Sequence, residues 1–254
     1  MKIDKMKKAS QIAYQTLELV AKNIKAGVTT DYLNQIAHKY IVENNASPAF
    51  LNFQGFPKAI CVSINEEVVH GIPGKRKLKT GDIVSIDIGV CFEGYYGDTG
   101  GTYPVGEVSK EKEYLIYHTK KSLEEGLKVL KANCHVGDIG YAISSYLKKH
   151  NLSVVKVLVG HGIGKRLHQK PDIPNYGKKG TGPVLRKGMT IAIEPMVNLG
   201  TDQVLIKEDG WTIITADYRP SAYFEHTVLI LEDGYEILTK RWLYGERRFN
   251  WSWR

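Results

Sequence analysis

Cysteine is scarce in this chain: Cys61, Cys91 and Cys134 are the only three in 254 residues. They are odd in number and form no Cys-x-x-Cys pair, so neither a disulfide framework nor a thiolate zinc site is indicated. A reducing cytoplasmic compartment is expected. No apolar run approaches the roughly 18 residues of a membrane span. The opening MKIDKMKKASQIAYQ has neither the apolar core nor the small-residue cleavage pattern of a signal peptide. DNA- and RNA-binding motifs are also missing. What remains is ordinary globular composition, 43% hydrophobic and 24% charged, with chain enough for a large core. The formal charge of +8 favours polyanionic partners such as ribosomal RNA, although solvated lysines account for it more simply.

Against this background, six acids and histidines stand on segments that otherwise read as buried strands. The first half offers His70, Asp87 and Asp98, and the second offers His161, Glu194 and Glu225. Burying an unpaired ionised carboxylate costs several kcal/mol, so a positive partner has to neutralise these groups. A metal pair would do so, and it points to a hydrolytic enzyme. Asp87 lies between Ile86 and Ile88, and strand alternation puts it on the opposite face from both. Asp98 follows 11 residues later, a spacing that suits a hairpin returning one acid beside the other; taken alone, Gly97-Asp98-Thr99 reads equally well as a turn. Glu194 sits between Ile193 and Pro195, and Glu225 follows Tyr223 and Phe224. His161 lies between Gly160 and Gly162, where backbone can approach closely.

The chain carries its pattern twice. Met6, Ala9, Ala13, Leu17, Val20 and Ile24 predict an amphipathic helix. A turn over 27–31 leads to a second helix with Leu33, Ile36, Ala37, Tyr40 and Ile41 on one face and Thr30 or Asp31 as N-cap. Strands are expected over 60–64 and 83–88. A helix over about 110–132 then restarts the order. Asp138 is the expected cap of a fourth helix, and strands are expected over 154–159, 190–193, 204–206 and 224–231. The segment from Leu78 to Asp87 matches that from Leu185 to Glu194 at an offset of 107 residues (194 − 87), and His70-Gly71-Ile72 recurs as His161-Gly162-Ile163. The expected architecture is therefore one pseudo-symmetric α+β domain over residues 1–239, built from halves of about 1–108 and 109–239, with two sheets facing a shared cleft.

Taken in order, Val69-His70-Gly71-Ile72-Pro73, Ile86-Asp87-Ile88-Gly89, Gly97-Asp98-Thr99, Gly160-His161-Gly162-Ile163-Gly164, Ile193-Glu194-Pro195-Met196 and Glu225-His226-Thr227 resemble type I methionine aminopeptidases. The resemblance spans roughly residues 3–239. It implies a pseudo-two-fold "pita-bread" fold, with antiparallel sheets covered by helices. It also implies a site for two divalent metal ions, with Mn, Fe, Co and Zn all compatible with four carboxylates and one imidazole. By match, Asp87 is the terminal ligand of one ion, Asp98 and Glu225 bridge, and His161 and Glu194 complete the other. The implied reaction is removal of the initiator methionine from nascent polypeptide N-termini with a small second residue, by attack of a metal-bridging hydroxide on the peptide carbonyl. Glu194 would shuttle the proton to the leaving amine. His70 and His168 would contact the substrate without holding metal. Phe53, Phe56, Cys61, Leu167 and Trp211 would wall the methionine pocket; without the resemblance, each of these five reads as ordinary core.

The sequence departs from the family pattern at Gln54, Leu167, Gln169 and Tyr223, and at Phe53 and Phe56 in place of tyrosines, none of which removes a ligand. A tail over 240–254 holds three of the four tryptophans and five basic residues; packing on the protein's own surface and contact with ribosome, RNA or another protein are both open to it. A monomer is expected, with no DNA and no membrane partner. One rival is an Xaa-Pro aminopeptidase or prolidase, which shares fold and ligands but usually carries a further N-terminal domain. The other is a non-catalytic pita-bread binding protein, in which ligands tend to be lost.

Overall fold

The computed structural model describes residues 2–240; beyond Lys240, the tail singled out in the sequence lies outside them. The chain opens with α1 (Lys2–Lys22) and α2 (Thr30–Glu43). The strands β1 (Ser47–Pro48), β2 (Cys61–Ile64), β3 (Glu67–Val69), β4 (Ile83–Phe92) and β5 (Tyr95–Pro104) follow. Helices α3 (Lys110–Lys128) and α4 (Val136–Lys149) begin the second half. After them come β6 (Ser153–Val154), β7 (Gly160–Gly162), β8 (Gln169–Ile173), β9 (Thr190–Ile193), β10 (Met196–Asn198), β11 (Val204–Ile206), β12 (Ile213–Thr215), β13 (Ser221–Ile230) and β14 (Tyr235–Ile237). Every strand pairing among the described residues is antiparallel.

Each helix pair covers its own part of the sheet. Ile12, Leu17, Leu33 and Ile41 of α1 and α2 pack with Val84, Ile86, Ile88 and Val90 of β4. Leu115, Leu123, Ile139 and Ile143 of α3 and α4 pack with Ile191, Ile193, Val228 and Ile230 of β9 and β13. Burying each such side chain contributes about 1.5–3 kcal/mol. A close helix crossing in the second pair needs Gly126, where a Cβ would come within 2.8 Å of Ile143 Cγ1.

The two half-sheets do not stay separate. β13 pairs with β5 on one side and β9 on the other, so the main sheet runs β1-β4-β5-β13-β9-β7-β8; β3, β11 and β12 form a small second sheet. The β5–β13 seam is closed reciprocally by two threonines. Thr227 Oγ1 accepts from the Asp98 N–H and donates to the Asp98 carbonyl. Thr102 Oγ1 does the same for Tyr223.

Three local expectations are corrected. The cap of α2 is Thr29, whose hydroxyl accepts from Tyr32 N–H, rather than Thr30 or Asp31. The cap of α4 is His135; Asp138 sits three residues in and accepts the N–H groups of His135 and Gly180. The strand expected over 154–159 shrinks to Ser153–Val154, because only β10 lies alongside it and Val157 is left 74% exposed.

Candidate metal centre

The β4–β5 hairpin turns through Glu93 and Gly94, both at positive φ (48° and 76°), with Phe92 opposite Tyr95. A two-residue turn of this kind matches the twist of the flanking strands. Its register sets Asp87 opposite Gly100 and Asp98 opposite Gly89. Because cross-strand partners share a face and residues alternate along a strand, both aspartates stand on one side of the sheet. Glu225 is also opposite Gly100, from the other flank of β5. Thr227 then faces Ala192, and Ala192 faces His161, so His161 joins the same side. Glu194, two residues past Ala192, follows by alternation.

The five side chains meet there. His161, Glu194 and Glu225 each bring a ligand atom within 4.8 Å of the others, and so do Asp87, Asp98 and Glu225. Glu225 belongs to both trios, and Asp98 and His161 form a third with His168. His161 Nε2 is 3.5 Å from Glu194 Oε1 and 3.9 Å from Asp98 Oδ2. Its Nδ1 lies 2.9 Å from the Gly162 carbonyl; donation there fixes the proton on Nδ1 and leaves the Nε2 lone pair facing the acids. Asp87 Oδ1, Asp98 Oδ1 and Glu225 Oε1 are buried without a hydrogen-bond partner. Oxygens of that kind are costly to bury and fit hard or borderline cations.

Electrostatics say the same. Burial pushes Asp87, Glu194 and Glu225 well above the usual carboxylate range, and the neighbouring acids push them further. Asp98 is pushed up to about 7 by burial. His161 is pushed down to about 4 by burial and then by His168. Without cations burial thus favours the protonated form of these carboxylates, while the imidazole is neutral and ready to ligate. Two divalent ions would supply the missing positive charge.

A cavity of about 130 Å³ opens beside the acids, small against the roughly 300–1,000 Å³ of pockets for larger ligands and suited to a single side chain. Phe53, Phe56, Cys61 and Trp211 line it, with His70 and His168. The Phe56 and Trp211 rings meet edge to face at 5.2 Å, and His168 is edge-on to Phe53 at 5.2 Å and to His161 at 4.3 Å. Burial lowers both His70 and His168, and His168 adds to the fall at His70. Leu167 does not line the cavity; it is 2% exposed and packs behind the wall with Ile163. Phe50 and Tyr223 do line it and were not among the expected pocket residues. Phe50 has no local periodic signal, and its place is set by Gly89, where a Cβ would come within 2.7 Å of the Phe50 ring. Gln54, noted in the sequence only as a departure, also reaches the lining. A larger hollow of about 750 Å³ near Cys134 and Glu232 holds none of these acids or histidines.

The sequence matches the model of metallopeptidase family M24 over residues 4–232. It is 49% identical over 236 residues to a methionine aminopeptidase of Rickettsia prowazekii, covering 92% of this chain and 91% of that one. The crystal structure of methionine aminopeptidase from Rickettsia prowazekii superposes with a TM-score of 0.93 at 47% identity, covering 94% of this chain and 97% of that chain. The prolidase from Pyrococcus furiosus shares the fold at a TM-score of 0.78 but only 22% identity, covering 94% of this chain and 64% of that chain.

Proposed function

The chain belongs to metallopeptidase family M24, and from that premise we propose that it is a metal-dependent aminopeptidase removing the N-terminal methionine from polypeptides. One observation carries the reading: five metal-type side chains share one sheet face beside an apolar cavity sized for one side chain. The pita-bread fold with antiparallel sheets is common to its methionine aminopeptidase and prolidase neighbours.

The metal stoichiometry we infer is two divalent ions per chain. His161 and Glu194 would hold one, Asp87 would hold the other, and Asp98 and Glu225 would serve both. Bound there, such ions polarise a carbonyl and make water acidic enough to attack at neutral pH. The protein's own groups do the rest. The Glu194 side chain is more open to the cavity than that of Asp98, at 16% against 4%; it takes the proton the attacking water loses and delivers it to the leaving amine. Its carbonyl accepts from Asn175 Nδ2 at 3.1 Å, which fixes the main chain that aims it. His70 and His168, neutral at physiological pH, donate hydrogen bonds to the peptide, His168 to the carbonyl oxygen and His70 near the scissile bond. Phe53, Phe56, Cys61 and Trp211 enclose the methionine thioether, for which aromatic walls suit the polarisable sulfur.

Residues 1–239 act as one catalytic domain of two related halves. The enzyme works as a cytoplasmic monomer on nascent chains, a placement supported by three free cysteines and by the lack, among the described residues, of any helix long and apolar enough to cross a membrane. The basic surface is open to ribosomal RNA. Hydrolysis of Met-Gly-Met-Met against Xaa-Pro dipeptides, with and without Mn(II) or Co(II), tests the activity. Metal-dependent cleavage of the methionyl peptide is expected, and activity confined to Xaa-Pro would overturn it.

A further inference from the structure

Tyr223 is a fully enclosed tyrosine, 1% exposed, on the acid-bearing face of β13 two residues before Glu225. Its hydroxyl donates its one proton to Glu225 Oε2 and lies beside the Asp87 carboxyl. It therefore serves the Asp87–Asp98–Glu225 trio, through Glu225, and has neither His161 nor Glu194 as a hydrogen-bond partner. In each of Asp87 and Glu225 one oxygen is left without a partner.

The tyrosine is itself held firmly. Its N–H donates to Thr102 Oγ1 at 2.8 Å, and its carbonyl accepts from the same hydroxyl at 3.0 Å. With its single proton spent there, Thr102 Oγ1 can only accept from Ser85 Oγ, 2.7 Å away. Ser85 and Thr102 are opposite one another on β4 and β5. The ring fills the space over Gly100, where any Cβ would overlap it. A chain of satisfied hydrogen bonds thus runs from the first-half hairpin through Tyr223 to Glu225.

We propose that Tyr223 is a positioning residue for the metal centre, a hydrogen-bond donor that aligns Glu225 so that its free oxygen converges with those of Asp87 and Asp98 on the ion held by the trio. The inference rests on the two-ion reading above. Donors behind metal ligands fix ligand orientation, and their loss typically costs about 10–100-fold in metal affinity. A ring serving only as core filler would leave metal affinity indifferent to the hydroxyl. A glutamine at this position would also bring a donor.

The test is titration of metal-free protein with Mn(II), followed by calorimetry and by the electron paramagnetic resonance of free and coupled Mn(II), for the native chain, Tyr223→Phe and Tyr223→Gln. The native chain is expected to take up two ions and show the signal of a coupled pair. Tyr223→Phe keeps the ring; it should weaken one site by about 10–100-fold, leave the other unchanged and lose the coupled signal at limiting Mn(II). Tyr223→Gln should recover most of that affinity. Two unaltered sites in Tyr223→Phe would overturn the inference. So would equal loss in both variants with a lowered melting temperature, since packing would then be the cause. A native chain that binds no Mn(II) would instead overturn the two-ion reading.

Discussion

The two halves carry the same tripeptide, His-Gly-Ile, and put it to different use. The glycines behave alike: a Cβ on Gly71 would overlap the Val62 carbonyl, and one on Gly162 would overlap the Lys170 carbonyl. The histidines do not. His161 lies within β7, paired with Ala192 and Asp172, so alternation turns it onto the acid face. His70 follows the last residue of β3, in the small sheet, with φ at +59°. A left-handed residue breaks alternation, and His70 lines the cavity without joining either acid trio. Close backbone approach is thus common to both glycines, while His161 joins the acids and His70, at positive φ, faces the cavity.

The largest effect should come from exchanging the fates of these histidines. His161→Ala is expected to lose one ion and more activity than the ~10–100-fold typical of an outer partner. His70→Ala should keep both ions and lose about 10²–10³-fold in kcat, as for removal of a transition-state hydrogen-bond donor. Metal content by elemental analysis beside kcat separates the two; equal metal loss in both variants would erase the contrast. Asp98→Ala or Glu225→Ala, which touch the shared carboxylates, should abolish the two-ion site altogether.

The acids and the histidine of the centre also differ in what they do with protons. Burial raises all four acids, Asp98 to about 7, and so favours their protonated forms in the metal-free protein, whereas it lowers His161 to about 4 and leaves the imidazole neutral. Metal uptake should therefore displace protons from carboxylates, and affinity should rise as pH increases through about 7, where Asp98 titrates. For folding, a carboxyl raised in the native state contributes stability that is present below its unfolded value of 3.8 and is lost as pH rises through about 7. The depressed His161 contributes above 6.5 and loses its contribution as pH falls towards 4. Metal-free protein should thus melt lower at pH 8 than at pH 6, and Asp98→Asn should remove part of that fall. Thermal melts at the two pH values check this; a flat profile in the native metal-free chain would show that the acids are not held protonated.

Much of this was legible in the sequence where local rules operate. A separation of eleven positions from Asp87 to Asp98, with Glu-Gly at the turn, suffices for a hairpin with both acids on one face. The 107-residue repeat aligns β4 with β9 and so Asp87 with Glu194. Side chains placed by distant backbone were harder to read. Phe50 reaches the cavity through the space left by Gly89, and Leu167 is drawn behind the wall. The apolar run over 154–159 has every local mark of a strand, yet only its first residue is in one. Val155 makes a single backbone bond to Met196, and Lys156 turns out to pair with Asp202 at 2.6 Å. Strands need partners, and a single sequence does not name them.

The glycines give the next contrast, and here the halves should agree. Gly71→Ala and Gly162→Ala both press a methyl group into a neighbouring carbonyl, at a cost of about 1–3 kcal/mol each. Chemical denaturation should show similar losses in both. Stability lost at only one would mean that the two backbones relax differently, and that the shared tripeptide has ceased to serve a shared structural role.

The smallest effect lies at the caps of α2 and α4, the helices that the repeat aligns. Thr29 offers its hydroxyl to one backbone donor, Tyr32 N–H, at an exposed position. Asp138 accepts two, from His135 at 2.8 Å and from Gly180 at 2.8 Å, the second tying the helix start to the loop that leads to β9. Thr29→Ala should cost about 1 kcal/mol, independent of pH. Asp138→Ala should cost more, up to about 2 kcal/mol, because two donors lose a charged acceptor. Burial alone would raise the Asp138 carboxyl, but the Gly180 and His135 N–H groups bring it below its ordinary value of 3.8. Its contribution is thus present above that value and fades as pH falls through the lower folded one. The difference between the two variants in urea denaturation should therefore be full at pH 7 and shrink below pH 4; a difference that persists in acid would mean that Asp138 acts through packing, not as a charged cap.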